Sequence, residues 1–381
     1  MPINRNEQTA LSFDSYLGSR GLVYDPVVKA DLLAAILSSQ FVLFAGPSGT
    51  GKSTAALALA DFFAPPTRRA VIAVERTWET PQDVVGAYSS FADYYLAKPG
   101  LDQMLRAQFN PGANSAADEA RTPIIVVEEA NLSAIEGYLN PVVHGLSAPA
   151  QLSVTWPLHP LDGFVARTGR AEAPRTVPPV LVVGPWPRFL GTINVDHTAM
   201  APARKVSGRA CVVLLEPSTS PAALDGVTAL FEPTAATDWD PGPQELLNDP
   251  RTELASILEQ PRLAILASAL NAATTRLTDR LGSNPVSKRD EHRCLLYMSW
   301  FCEIAPHVPD LDTADLDAKA AENALLHFVL PGLTPQQFGQ TVELFRASPV
   351  DSLLRSRCAR LVPADGDSAL GYAVDYWSAL S

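Results

Sequence analysis

Residues 46–53 read Gly46-Pro47-Ser48-Gly49-Thr50-Gly51-Lys52-Ser53. The spacing is G-x-x-x-x-G-K-[ST], a loop whose backbone N–H groups cradle phosphates. Its flanks suit that reading. Phe41-Val42-Leu43-Phe44 is a short apolar run fit for a buried parallel strand, and Thr54 to Phe63 reads as a helix carrying Leu57, Leu59 and Phe62 among alanines. A strand, a glycine turn and a helix start aim several N–H groups and the positive helix end at one point. Lys52 is placed to reach β- and γ-phosphates, and Ser53 to bind Mg²⁺; Gly46, Pro47, Ser48, Gly49, Thr50, Gly51 and Thr54 complete the cradle. The expected cofactors are a nucleoside triphosphate and Mg²⁺. ATP is the first reading and GTP the alternative, because a phosphate loop does not read the base.

Working outward, further continuous apolar runs fall at Ala70–Val74, Ile124–Val127, Phe189–Ile193 and Val212–Leu215. Such runs fit parallel strands buried on both faces. Helical segments separate most of them, which predicts a doubly wound α/β domain over residues 1–220. Residues 1–40 read as a lead-in ending in a helix over Val27–Leu37. A Pro-rich stretch at about 150–188 reads as a β-hairpin insertion with Arg167, Arg170 and Arg175 near its tip. The Pro- and Asp-rich residues 221–250 read as a linker, and 251–381 as an all-α domain. Helices are expected at Pro261–Leu281, stopping at Gly282, then at Ser287–Ile304 and Asp312–Val329. Thr334-Pro335, an N-cap and a first-turn proline, opens another. The fold class expected is an α/β P-loop NTPase with a parallel sheet, followed by an all-α lid domain.

Composition sets bounds. The 381 residues are 47% hydrophobic and 18% charged, enough for a sizeable core in two or three domains. A net charge of −12 argues against a uniformly basic nucleic-acid coat and leaves room for a local basic groove. Cys211, Cys294, Cys302 and Cys358 form no C-x-x-C pair, so neither a zinc site nor a disulfide framework is indicated, and a reducing cytoplasm is the expected home. The N-terminus lacks an apolar signal core. The longest apolar stretch, residues 32–45, is broken by Ser38-Ser39-Gln40, so no membrane association is expected.

An acidic pair, Glu128-Glu129, closes the third strand. A nucleotide hydrolase of this kind needs one carboxylate to hold Mg²⁺ through water and a second to orient or deprotonate the attacking water. By position Glu128 takes the metal role and Glu129 that of the base, although aspartate is usual in the first slot. The fourth strand ends in Gly191-Thr192-Ile193-Asn194, which sets the Asn194 amide between the P-loop and the acidic strand. Arg209, just before the fifth strand, would point away from its own nucleotide. In a ring it could reach the neighbour's γ-phosphate and stabilise transition-state charge.

Taken together, four stretches resemble the McrB-like branch of the AAA+ ATPases, the motor subunits of modification-dependent restriction systems. They are Phe44-Ala45 with the P-loop; Glu128-Glu129-Ala130-Asn131-Leu132 through Glu136-Gly137-Tyr138; Gly191-Thr192-Ile193-Asn194-Val195-Asp196 with Lys205-Val206 and Arg209-Ala210; and Trp78 with Asp83-Val84-Val85-Gly86-Ala87-Tyr88. The resemblance covers roughly residues 20–360. It implies an AAA+ core, a homo-oligomeric ring of six with active sites between subunits, a sensor-1 role for Asn194 and an arginine-finger role for Arg209. It also implies that Arg289, in Ser287-Lys288-Arg289, touches the γ-phosphate of its own subunit from the lid. The segment from Tyr88 to Gln108 and the arginine hairpin would face the pore or a partner. The implied partner is a McrC-like nuclease or another subunit, with nucleic acid handled directly or through it. Two departures stand out. Gly208 occupies a position where relatives often carry Asp, and only about forty residues precede the first strand, too few for a separate DNA-reading domain. Other functions fit the same core motifs: a MoxR-like chaperone or metal-insertion ATPase, and, against the lid, Asn194 and Arg209, a small-molecule kinase.

Overall fold

The computed structural model describes residues 4–89, 91, 94–100, 104, 122–145, 153–159, 166–167, 176–184, 186–195, 201–216, 247, 261–360 and 376–377. At its centre is β1 (Phe41–Gly46), all six residues buried. It lies parallel to β10 (Arg188–Asn194) on one side and to β11 (Cys211–Leu214) on the other. β5 (Ile124–Glu128) and β2 (Arg69–Ala73) continue the sheet in the order β11-β1-β10-β5-β2, every neighbouring pair parallel. The apolar runs are continuous because helices cover both faces, which parallel strands require. α1 (Arg5–Ser19), α2 (Pro26–Ser38) and α3 (Lys52–Phe63) supply part of that cover. The strand that leads into the P-loop lies inside a five-stranded parallel sheet, as expected of an α/β P-loop NTPase.

Three antiparallel strand pairs stand apart from the sheet. α4 (Pro81–Val85), started by a Thr80–Asp83 capping box, leads into β3 (Gly86–Ser89), paired with β4 (Tyr94–Ala97). After the short α5 (Ile135–Tyr138) and α6 (Asn140–Gly145), β6 (Val154–Pro157) pairs with β9 (Val180–Val183), and β7 (Ala166–Arg167) with β8 (Thr176–Val177). Of the three hairpin arginines, Arg167 lies on β7, while Arg170 and Arg175 fall outside the described residues. α7 (Arg204–Ser207) then leads to β11.

The C-terminal part is helical: α8 (Pro261–Leu281), α9 (Lys288–Ile304), α10 (Leu316–Phe328), α11 (Pro335–Arg346) and α12 (Leu353–Arg360). α9 packs on α2, and α10 lies along β11. Buried Asp31 of α2 ties this packing together. Its carboxylate accepts from the Tyr297 hydroxyl and lies 2.7 Å from His327 Nε2, whose Nδ1 is 2.7 Å from the Val212 carbonyl. The carbonyl can only accept, so Nδ1 carries a proton.

Two expectations need correction. The lead-in holds a helix of its own, α1, which buries Thr9, Ala10, Phe13 and Leu17 along one side. The helix expected from Asp312 begins at Leu316, because Asp315 takes a left-handed conformation (φ 52°) and interrupts any earlier turn.

Candidate functional site

Parallel strands share one carboxyl end, and the register shows what meets there. Gly46, opening the P-loop, pairs with Asn194, and Gly191 pairs with Val127, one residue before Glu128. The P-loop, Asn194 and the acidic pair therefore converge at the same edge. Gly46 is obligatory: a Cβ there would lie 2.2 Å from the Leu215 carbonyl oxygen. Gly51, left-handed at φ 80°, turns the chain into α3. Lys52 Nζ donates to the Pro47 carbonyl at 2.5 Å and Thr50 Oγ1 to the same oxygen at 3.0 Å, so the loop is braced across its own mouth.

Glu128 is partly buried, with the Ser53 hydroxyl beside it. Burial raises its pKa, the neighbouring Glu129 charge raises it further, and the Ser53 hydroxyl opposes both. A half-dehydrated carboxylate beside the P-loop hydroxyl is a donor pair fitted to a small hard cation such as Mg²⁺. Glu129 is the turn residue itself, at φ 52° and ψ 43°. Its N–H donates to Thr192 Oγ1 at 2.9 Å, and the residue is exposed.

The sequence reading missed the residue that joins these strand ends. Buried Asn131 donates from Nδ2 to the Asn194 carbonyl at 2.6 Å, and its Oδ1 accepts the Asn194 N–H at 3.0 Å. Tyr138 reinforces the turn by donating to the Ala130 carbonyl at 2.6 Å and packing on Trp78 with ring centroids 5.6 Å apart. Their sequence signal was present: these are the Asn and aromatic positions that follow the acidic pair. Tyr24, just before α2, brings its hydroxyl to 4.0 Å from where a Cβ would stand on Gly51.

Arg209 lies elsewhere. Cys211 pairs with Val42, so Arg209 is level with the start of β1, whereas the P-loop opens at its end. Six residues at ~3.3 Å each separate them by roughly 20 Å. Arg209 cannot reach its own loop. Arg289, expected to touch the γ-phosphate of its own subunit, stands one turn before Arg293 on α9, and its charge, after burial, lowers the pKa of Arg209.

No family model matches the chain, and no curated protein is similar to it in sequence. Among solved structures, the chain is similar to a presumed ATPase from Cytophaga hutchinsonii, with 12% identity over 86% of this chain and 87% of that one and a TM-score of 0.46. Among the described residues, no helix is long and apolar enough to cross a membrane.

Proposed function

We propose that this chain is a nucleoside-triphosphate-hydrolysing AAA+ motor of the McrB-like kind, working as a homo-oligomeric, hexameric ring that drives a partner nuclease in DNA restriction or antiviral defence. The observation that carries the hydrolase reading is the strand register that brings the P-loop, Asn194 and the Glu128-Glu129 pair to one end of the sheet. Bound ATP or GTP with Mg²⁺ would supply the phosphoryl group and the charge that neutralises it in transfer. Ser53 and Glu128 would hold the metal, the latter through water; Lys52 and the N–H groups of residues 46–54 would hold the phosphates. Glu129 would take the proton of the attacking water, and Asn194, fixed by Asn131, would orient that water. The intersubunit reading draws support from the separation of Arg209 from its own loop. Arg209 and Arg289 would then meet the γ-phosphate of the neighbouring subunit, across the interface.

Glu129→Gln tests the chemistry. It is expected to bind ATP as the parent does and to lose turnover, while Lys52→Ala loses binding, since each lost charge-assisted bond costs roughly 1.5–3 kcal/mol. A Glu129→Gln protein turning over at the parental rate would sink the assignment. One observation favours a second reading, a MoxR-like chaperone acting on proteins. Phe91, between β3 and β4, is 101% exposed, a side chain suited to gripping polypeptide. Hydrolysis stimulated by DNA favours the first reading; stimulation by unfolded protein favours the second.

A further inference from the structure

We infer that Arg293 is a positioning residue for Arg209, setting the aim of that arginine from the helical domain. The inference rests on the proposed role of Arg209 at a neighbouring site. Arg293 stands one turn after Arg289 on α9. Its Nη1 donates to the Gly208 carbonyl at 3.0 Å and its Nη2 to the Ala210 carbonyl at 2.6 Å. These oxygens belong to the peptide before Arg209 and to the peptide one step beyond it. The first is the carbonyl of the residue that caps α7, and the second is the carbonyl just before β11. A planar fork that holds both fixes the backbone between them. The Arg209 side chain starts from that backbone and is turned along α7, where its guanidinium donates to the Lys205 carbonyl.

The clamp is itself held. The Arg293 guanidinium lies 4.5 Å from the Phe328 ring centroid, on α10, and Nη1 is 3.5 Å from Asp290 Oδ1. Burial lowers its pKa, the cost of keeping a cation there. Gly208 offers no side chain to hold this turn, and a Cβ there would crowd the Arg204 carbonyl at 2.9 Å. The turn is thus steered from α9. A shift of the helical domain would swing Arg209 with no change at the P-loop of the same subunit.

Steady-state kinetics on the full chain test this. Arg293→Lys retains charge but meets one carbonyl well, and Arg293→Gln meets neither with a cation. Both are expected to lower kcat about tenfold or more with KM for ATP within about twofold, the mark of an interaction made in the transition state. In an Arg209→Ala background the same changes are expected to have less than about a twofold effect, because Arg293 acts only through Arg209. Should the losses multiply in full in that background, or appear in KM alone, the positioning role is overturned while the finger reading stands. Variants that fail to fold or to bind ATP make Arg293 a purely structural residue and also overturn it. Arg209→Ala with parental hydrolysis overturns both readings.

Discussion

Asn131 does at the site what no strand pairing does. The β10–β5 ladder brings Asn194 near the acidic pair, but the strand ends are free to splay unless something bridges them. The Asn131 amide bridges them with one donor and one acceptor on the same backbone residue, while being only 5% exposed. That reciprocity makes the site selective about side-chain chemistry. Asn131→Ala would leave a buried N–H and a buried carbonyl without partners, a loss of about 2 kcal/mol of stability. Asn131→Asp is nearly isosteric, yet its carboxylate is acceptor-only and would face the Asn194 carbonyl oxygen. The two variants are therefore expected to be about equally impaired in kcat, with ATP binding retained because the P-loop is untouched. Chemical denaturation and single-turnover hydrolysis check both. An Asn131→Asp protein with parental stability and turnover would show that the bridge is dispensable.

The element that governs the C-terminal half is β11. It is the edge strand of the sheet, and an edge presents unpaired backbone groups that invite foreign strands. Its alternate carbonyls and the one preceding them, Ala210, Val212 and Leu214, face away from β1 and meet Arg293, His327 and Arg357 in turn. Three side chains from three helices close the edge and seat the helical domain on it. Arg357 also pairs with Glu216, and burial lowers its pKa to about 10. Arg357→Met should cost about 1.5–3 kcal/mol, the typical loss of a charged hydrogen-bonded group at a partly buried site, and Glu216→Gln in the same chain should recover part of it. Urea unfolding of the single and double variants reads this coupling, and simple additivity would mean that the pair is not a unit. This ladder also marks the limit of what the residues alone disclose. The strands were legible because continuous apolar runs at Phe41, Ile124 and Phe189 admit few other readings. The P-loop and acidic pair were legible because spacing fixes their chemistry. Strand order, the seating of α9 on α2 and the distance of Arg209 from its own loop depend on contacts across more than a hundred residues. Nothing local encodes these. α1 was missed for a milder reason: its buried Phe13 and Leu17 sit among polar residues that mute the stripe.

At the scale of the whole molecule, the cysteines report on how the parts hold together. Cys211 lies on β11, Cys294 and Cys302 on α9 and Cys358 on α12, and all four are buried. Burial raises every one of these thiol pKa values, to about 12 for Cys302 and Cys358, and pushes Cys211 and Cys294 up as well. In the unfolded chain a thiol ionises near pH 8.5. Below that pH both states carry the proton and the thiols do not bias folding. Above it the unfolded chain loses protons that the folded chain keeps, so stability falls as pH rises, approaching ~1.4 kcal/mol per pH unit for each thiol. Between pH 8.5 and 10 the thiols are the groups that set this slope. Arg357 with its pKa of about 10 remains charged over most of the window, and unfolded tyrosines ionise only near its upper end. The urea midpoint is expected to fall steadily from pH 8 to pH 10, with the native thiols unreactive toward Ellman's reagent at pH 8. Replacing Cys302 and Cys358 with Ala should flatten the slope by about half, since two of the four proton-retaining groups are gone. A midpoint that holds constant across this range, or a slope untouched by the double replacement, would mean that the thiols ionise in the fold, and that the helical domain opens from the sheet edge far more readily than its buried ladder implies.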